Sequence, residues 1–413
     1  MTHSIAIVGA GPAGCYTAQA MRKTLKDAEI TVIDRLPVPY GLVRYGVAAD
    51  HQGTKGITRQ FARVFERQDV ALLGNVELGR DLQLDDLRGM MDAVVLATGL
   101  YADRPLGVPG EDLKGVYGSG TVTRFWNAHP DEADLAPELG KKVVVVGNGN
   151  VAMDIVRILG KGEGDFDGSD IDLEQIKHEV SEIHVVGRSD LGSAKFDIAM
   201  VKELAGLDNL GCSIAPGDKF EDTPISQAVN EVIAGSSSEA PIQVVFHSSW
   251  SCDYVEGANG QVAALHLKRA GGEDTKILKC DSIVSAIGFR NSGSVDRDSF
   301  AQSATLVENG FIEDGLFATG WLRRGPNGTI PANRADALEV AVTVSQWLEG
   351  REPGNGEGRA ALLAATKGTA TSYEDWLAID AHETKAAPDN RSRKKLRHLS
   401  DMMDIISNAR GKT

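Results

Sequence analysis

The stretch SIAIVGAGPAGCYTAQAM, residues 4–21, decides the fold that this sequence predicts. An apolar run leads into a glycine-rich turn, and a helical segment rich in small residues follows. The turn fits the pattern GxGxxG, with Ala13 inside it, which occurs where a strand meets a helix in dinucleotide-binding units. Gly9 permits the tight turn, Gly11 lets a pyrophosphate approach the backbone, and Gly14 lets the helix pack on the strand.

The next predicted strand, EITVID, supports the same interpretation. It ends in Asp34, 25 residues after Gly9, where a carboxylate can accept hydrogen bonds from ribose hydroxyls. The pyrophosphate would lie at the start of the helix, where free N–H groups and the helix dipole favour an anion. Strand, turn, helix and terminal acid together predict a dinucleotide site rather than an ordinary turn.

The same plan occurs again in KKVVVVGNGNVAMDIVRILG, residues 141–160. The second turn, of the form GxGxxA, consists of Gly147, Asn148, Gly149, Asn150, Val151 and Ala152. Its partner strand ends in Arg188 instead of an acid, and an arginine accepts the 2′-phosphate that a carboxylate would reject. We therefore expect FAD at the first turn and a nicotinamide nucleotide at the second, although a duplicated sheet with one inactive site is the alternative.

Two cycles of this plan predict an α/β protein with two doubly wound, Rossmann-like nucleotide-binding domains, each built on a parallel sheet. We expect the FAD-binding domain to be discontinuous, comprising residues 1–105 and 291–413, and residues 106–290 to bind NAD(P). The 413 residues, 42% of them hydrophobic, suffice for two cores.

The composition excludes several classes of protein. The formal net charge of −15 argues against a global attraction to nucleic acid or to anionic membranes. No apolar run reaches the roughly 18 residues of a membrane span, and a strand begins by residue 4, which leaves no room for a signal peptide. The four cysteines form no CxxC pair, which argues against a zinc site, a cysteine-ligated cluster or a dithiol active site. We expect a cytoplasmic protein without membrane insertion and without a metal site.

Several stretches together resemble one family: VPYGLVRYGVAADHQGTK, GNGNVAMDIVRILG, VVGRSD with FDIAMVKEL, FATGWLRRGPNGTIPAN and SYEDWLAID. The chain resembles the adrenodoxin-reductase-like ferredoxin–NADP reductases from its first strand to its last helix. GLVRYGVAADH and GWLRRGPNGTI are the most specific parts, because general disulfide reductases and monooxygenases lack both. The resemblance implies hydride transfer from NADPH to FAD and then single-electron transfers to an iron–sulfur ferredoxin.

The resemblance also implies which residues surround the flavin. These are Gly41, Leu42, Val43, Leu82, Trp321, Gly328, Thr329 and Ile330. Gly41 begins a loop that is expected to cover the cofactor. Trp321 offers a flat apolar surface to the flavin or nicotinamide ring. The backbone N–H groups where a helix starts near Ile330 are expected to stabilise negative charge on reduced flavin.

Three polar residues match a cluster that the family keeps near its two reactive rings: His51, Asp154 and Glu203. Hydride transfer needs alignment more than a proton donor, so these residues are expected to position the ring or to relay a proton. A loop histidine and two solvated helix charges are the alternative interpretation.

The chain departs from the family after its second nucleotide strand. The family usually has GRRGP there, whereas this chain has Arg188, Ser189 and Asp190, so that one arginine is replaced by Ser189. The loss of one charge-assisted contact costs roughly 1.5–3 kcal/mol. We expect NADP as the preferred cofactor, with NAD or dual use left open.

The basic surface that meets an acidic ferredoxin in the family is also reduced. Lys195, Lys202, Arg323 and Arg324 remain, and the segment 391–397 contributes either to docking or to a solvated helix face. Two other functions stay open. One is an NAD(P)H diaphorase or quinone reductase with small acceptors, and the other is a non-catalytic flavoprotein that senses nucleotides.

Overall fold

The computed structural model describes residues 2–293, 295, 304–354 and 356–411. The chain divides into two compact units, and the first of them is formed by two separate stretches. The first unit comprises Met1–Ala102 and Arg290–Thr413, and the second unit comprises Asp103–Phe289. The assignment of FAD to one unit and of NAD(P) to the other stays a prediction.

The strands, numbered in chain order, are β1 (Ser4–Val8), β2 (Glu29–Ile33), β3 (Val70–Leu73), β4 (Ala93–Leu96), β5 (Ala102–Asp103), β6 (Val116–Gly118), β7 (Lys142–Val146), β8 (Glu182–Gly187), β9 (Leu210–Ile214), β10 (Ile242–Ser248), β11 (Trp250–Ala258), β12 (Gln261–Arg269), β13 (Thr275–Lys279), β14 (Ser282–Ser285), β15 (Phe289–Arg290), β16 (Phe311–Glu313) and β17 (Leu316–Ala318).

The α-helices are α1 (Pro12–Thr24), α2 (Gly41–Tyr45), α3 (Gln52–Lys55), α4 (Thr58–Arg67), α5 (Leu84–Met90), α6 (Ser119–Trp126), α7 (Asn150–Gly160), α8 (Leu173–Ile176), α9 (Ile198–Lys202), α10 (Pro224–Gly235), α11 (Ala304–Asn309), α12 (Trp321–Arg324), α13 (Ile330–Leu348), α14 (Arg359–Ala365), α15 (Tyr373–Lys385) and α16 (Leu399–Arg410). Among the residues described, no helix is long and apolar enough to cross a membrane.

The first unit is built on a six-stranded sheet in the order β16-β17-β4-β1-β2-β3, in which β16 alone is antiparallel to its neighbour. Side chains of β1 alternate between two buried clusters, with Ile5 and Ile7 in one and Ala6 and Val8 in the other. Both faces of the sheet are therefore covered, which explains why the strand is apolar throughout. Because β1 lies between β2 and β4, the strand order reverses there, which creates the crevice where such sheets bind ligands.

The second unit repeats this arrangement with the order β6-β14-β7-β8-β10-β9, and every neighbouring pair is parallel. Its strand order reverses at β7, which lies between β8 and β14. A separate three-stranded antiparallel sheet, β11-β12-β13, is inserted before β14. The prediction of an α/β fold with two doubly wound parallel sheets is confirmed.

The basic segment 391–397 is not a helix face, and only part of it is exposed. It has no regular secondary structure, and Arg391 and Lys395 are buried. Arg393 pairs with Asp380 at 2.6 Å and with Glu383 at 3.2 Å. Both functions considered for the segment are therefore wrong for these three residues, because their charges serve the interior of the first unit.

Glu383 on α15 is the centre of this buried network. Its side chain is fully buried, and Oε1 accepts from the Arg44 guanidinium at 2.5 Å and from the Leu396 N–H at 3.0 Å. Lys395 in turn donates to the Arg44 carbonyl at 3.0 Å. Burial alone would raise the pKa of the Glu383 carboxyl, but Arg44 and the other donors hold it below its usual value. The carboxylate thus joins α2, α15 and the C-terminal segment.

We expect Glu383→Gln to lower the free energy of unfolding by about 3–5 kcal/mol, because it leaves the buried Arg44 guanidinium without a counter-charge. Urea unfolding of the purified protein measures this change. Glu374→Gln, at an exposed position of the same helix, is the control and is expected to cost less than about 1 kcal/mol. Equal costs for the two variants would contradict a structural role for the ion pair.

Candidate functional site

The first glycine turn is fixed by contacts of its backbone. Gly9 has a φ of +112°, and a Cβ there would lie 2.5 Å from the Ala97 carbonyl oxygen. A Cβ on Gly14 would lie 1.8 Å from the Gly9 oxygen. By contrast, a Cβ on Gly11 would meet no atom within 4 Å, and no side chain caps the helix that begins there. The turn therefore offers open space and uncapped N–H groups, which suit a pyrophosphate.

Asp34 follows β2, as predicted, and connects the two edges of the crevice. Its carboxylate accepts from the Ala10 N–H at 2.7 Å and from the Leu36 N–H at 3.0 Å. A carboxylate has about four acceptor sites, so the same group can accept from backbone N–H groups and from a ribose hydroxyl. That role for Asp34 stays a prediction.

The segment that begins at Gly41 differs from the irregular loop expected from its sequence, because it forms the short helix α2. Gly41 has a φ of +45°, and a Cβ there would lie 3.0 Å from the Gly11 Cα. The preceding N–H, that of Tyr40, donates to the Ala10 carbonyl at 2.9 Å. Leu42 is half-buried, whereas the side chain of Val43 is fully buried in the core. The start of α2 therefore lies directly against the glycine turn.

The stretch that contains Trp321 also reaches the start of α1. Gly320 has a φ of +70°, and a Cβ there would lie 2.5 Å from the Ala13 Cβ. Asp336 accepts from the Gly320 N–H and, at 2.7 Å, from the Thr319 hydroxyl. Asp336 was not predicted as a site residue. An acid on the apolar side of α13 nevertheless indicates a buried carboxylate that accepts hydrogen bonds. Trp321 is half-buried at the first position of α12.

The N-terminus of α13 is where the sequence placed it. Thr329 is the N-cap residue and makes no side-chain cap, while Gly328 has a φ of +85°. Ile330 is the first helical residue of 19. Pro331 has no N–H, and the Ala332 N–H donates to the Thr329 carbonyl at 3.1 Å. The Ile330 N–H and the positive end of the helix dipole are therefore what this end offers to an anionic group.

Leu82 is placed in the interior. It is 4% exposed and belongs to a core cluster with Val8 and Ile33. Its assignment to cofactor binding stays a prediction.

Two arginines of the predicted docking surface have partners inside the first unit. Arg323 is 4% exposed and pairs with Asp336 at 3.0 Å and with Glu339 at 2.7 Å. Arg324 lies 3.2 Å from Asp336 and donates to Asn333 at 3.0 Å. The expectation that Arg323 contributes to a basic surface is wrong, because its guanidinium neutralises a buried acid.

The second glycine turn has the same geometry as the first. Gly147 has a φ of +128°, and a Cβ there would lie 2.3 Å from the Ala286 oxygen. A Cβ on Gly149 would meet no atom within 4 Å, and α7 begins at the next residue without a side-chain cap. Val151 is half-buried in the first turn of this helix. The space above Gly149 therefore suits a second pyrophosphate.

Asn148 and Asn150 hold the chain that follows β8 against this turn. The Asn148 carbonyl accepts from the Lys195 N–H at 2.9 Å and from the Phe196 N–H at 3.1 Å. Asn150 exchanges two hydrogen bonds with Asp197, at 2.8 and 2.7 Å. These two asparagines thus have a structural role in addition to the predicted one.

Arg188 and Ser189 are both exposed just after β8, and Asn148 lies 3.5 Å from the Ser189 hydroxyl. The neighbouring Asp190 carboxylate accepts from the Gly192 N–H at 2.7 Å and from the Glu221 N–H at 3.1 Å. The Asp190 carboxylate is therefore already hydrogen-bonded to the backbone. Recognition of a 2′-phosphate by Arg188 and Ser189 stays a prediction.

The structure brings Asp154 and Glu203 together through a residue that the sequence analysis did not name. Arg157 is buried, with its Nη2 2.8 Å from Asp154 Oδ1 and its Nε 3.1 Å from Glu203 Oε2. His51 belongs to the first unit, where it is half-buried at the N-cap of α3. Arg157 is part of the motif GNVAMDIVRIL. Its position on the buried face of α7 could have indicated that it pairs with a carboxylate.

One group of three metal-ligand side chains occurs among the residues described, namely His129, Asp131 and Glu132. Arg124 lies 2.8 Å from the Glu132 carboxylate, and a guanidinium there competes with a cation. The group therefore carries no assignment as a metal site.

Comparisons with known proteins agree with this architecture. The family described as pyridine nucleotide-disulphide oxidoreductase matches residues 3–313. The chain is 41% identical over 416 residues to the cindoxin reductase of Citrobacter braakii, covering 98% of this chain and 91% of that protein. It is 32% identical over 462 residues to the mitochondrial NADPH:adrenodoxin oxidoreductase of Arabidopsis thaliana, covering 98% and 95%. The solved structure of Mycobacterium tuberculosis FprA in complex with NADPH superposes with a TM-score of 0.89 at 29% identity, covering 98% and 100%.

A pair of substitutions tests the two turns separately. Gly11 and Gly149 have φ values of −72° and −103°, which any residue adopts, so valine is expected to be compatible with folding at both positions. Because the valine side chain takes the space meant for a pyrophosphate, we expect Gly11→Val to lower FAD affinity about a hundredfold or more. Gly149→Val is expected to keep its flavin colour but to lose reduction by NADPH.

Flavin absorbance of the purified proteins and its bleaching under anaerobic NADPH give both results. Gly89→Ala in α5, where a Cβ also meets no atom within 4 Å, is the control and should keep both properties. A colourless Gly149→Val protein, or a coloured Gly11→Val protein that NADPH cannot reduce, would contradict the assignment of the two turns.

Proposed function

Because the chain belongs to the pyridine nucleotide-disulphide oxidoreductase family, we propose that it is an NADPH:ferredoxin oxidoreductase. In this proposal the first unit binds FAD, the second unit binds NADPH, and electrons leave singly to an iron–sulfur ferredoxin. The names of the similar proteins, an adrenodoxin oxidoreductase and a cindoxin reductase, support a protein as the acceptor.

The observation that carries the proposal is the repetition of one turn in two units. In each unit the first glycine is forced against a carbonyl, and the space above the second glycine is open. In each unit the helix that follows begins without a side-chain cap. Two pyrophosphate sites in one chain are what a protein needs in order to hold two dinucleotides.

The cysteines favour this proposal over disulfide chemistry. All four are free and lie within the residues described. Burial raises the pKa of Cys212 and Cys252 to about 11 and, with Asp281, that of Cys280 to about 12. Burial also raises the pKa of Cys15. Since the thiolate is the reactive form, none of these residues suits a dithiol cycle at neutral pH.

In this proposal the cofactor and the residues around it would have separate roles. Bound FAD would supply the two-electron to one-electron conversion. The Ile330 N–H and the dipole of α13 would stabilise negative charge, and Trp321 would cover a ring face. Asp154 and Glu203 would orient the nicotinamide, which matters because hydride transfer depends on alignment.

The electron acceptor decides between the proposal and a small-molecule reductase. The test compares kcat/KM of the NADPH-reduced protein for ferredoxins of its own organism with kcat/KM for quinones and ferricyanide. A ferredoxin is expected to be preferred at least about tenfold. A preference for quinone over every ferredoxin would instead favour a diaphorase, and the absence of flavin bleaching by NADPH would favour a nucleotide sensor.

Preference for NADPH is expected to depend on Arg188. Arg188→Ala removes one charge-assisted contact to the 2′-phosphate, so KM for NADPH should rise roughly ten- to a hundredfold while KM for NADH stays within about twofold. Steady-state kinetics with both nucleotides measure this difference. Lys279→Ala, at another exposed basic position of the second unit, is the control. Parallel changes for NADPH and NADH would contradict the role of Arg188 as a phosphate anchor.

A further inference from the structure

Arg157 lies beneath the two carboxylates that are expected to face the nicotinamide. Its side chain is 3% exposed, whereas those of Asp154 and Glu203 are 18% and 42% exposed. An arginine keeps its charge at any physiological pH. The buried guanidinium therefore requires a counter-charge, and its ion pairs with Asp154 and Glu203 bring the two carboxylates to the same side of α7.

The pairing also fixes the short helix α9 to α7 at both ends. Before α9, Asp197 exchanges two hydrogen bonds with Asn150 at the start of α7. After α9, Glu203 pairs with Arg157 two turns further along α7. Arg157 is thus the second of two anchors that determine where Glu203 lies.

Other charged groups near this site have their own partners. Lys202, next to Glu203, pairs with Glu231 at 2.7 Å, and Arg124 on α6 pairs with Glu132 at 2.8 Å. The carboxylates of Asp154 and Glu203 are negatively charged acceptors. A negative charge held in this way stabilises the positive charge that develops on a nicotinamide ring as hydride leaves.

We infer that Arg157 is a positioning residue for hydride transfer, acting through Asp154 and Glu203. The inference rests on the proposed function and deepens it, because it names the group that sets the geometry of the nicotinamide side. Arg157 is expected to determine the rate of transfer and not the affinity for the nucleotide, since the glycine turn and Arg188 provide the phosphate contacts.

The experiment uses Arg157→Met and Arg157→Lys in the FAD-loaded protein. Stopped-flow absorbance gives the limiting rate of flavin reduction at saturating NADPH, and titration of the flavin spectrum with NADP⁺ gives Kd. Arg157→Met is expected to lower the rate roughly ten- to a hundredfold, with Kd changed less than about threefold. Arg157→Lys keeps the charge but not the planar fork, so it should recover the rate in part, to about threefold above the Met variant.

Glu203→Gln and the double variant separate positioning from folding. If Arg157 acts through Glu203, the double variant should be little slower than the slower single variant, because coupled residues are not additive. Glu231→Gln is the surface control and should behave as wild type. Thermal unfolding, followed in parallel, identifies any variant that is merely unstable.

The inference is overturned if Arg157→Met reduces its flavin at the wild-type rate. It is also overturned if the rate and the unfolding temperature fall while Kd rises in parallel, and if the effects of Arg157→Met and Glu203→Gln add. Failure of NADPH to reduce the wild-type flavin would instead contradict the proposed function itself, so the two failures are distinguishable.

Discussion

The carboxylate of Glu383 joins α2 to the C-terminal part of the first unit, and its partner Arg44 lies 339 positions away in the chain. It accepts hydrogen bonds from Arg44, from Arg393 and from the backbone of Leu396. Removing the C-terminal segment would take away two of these donors, those of Arg393 and Leu396, from a buried charge, which is costly. Arg44 belongs to α2, whose first residue lies against Gly11. The shape of the first dinucleotide turn therefore depends on residues near the other end of the chain.

One backbone constraint shapes both glycine turns. In both, the first glycine is pressed against a carbonyl, that of Ala97 or of Ala286, because no side chain fits between turn and strand. The open space above the second glycine, where a pyrophosphate is proposed to bind, is thus the same in both units. In the proposed function, discrimination between nucleotides comes from the residues that follow the partner strands, Asp34 after β2 and Arg188 after β8.

Structural features that depend on neighbouring residues could be predicted from the sequence. Features that depend on partners elsewhere in the chain could not. The path from β1 through the turn to α1 was predictable, because glycine geometry and apolar runs act locally. The helical form of α2 was not, since its Arg44 is paired with a residue 339 positions away. Arg157 and Asp336 were missed for a related reason. Each looks like an ordinary helix charge until its counter-charge is known.

Acidic residues in this chain often serve as acceptors for backbone N–H groups. Asp34 and Asp190 each accept two such bonds, and Asp336 accepts one together with a hydroxyl. Hydrogen bonds of this kind are strengthened by the charge of the carboxylate. The family's second arginine is replaced by Ser189, and the carboxylate of the neighbouring Asp190 already accepts from two backbone N–H groups. The preference for one nucleotide therefore depends on what each side chain already binds, and not on the charges of the motif alone.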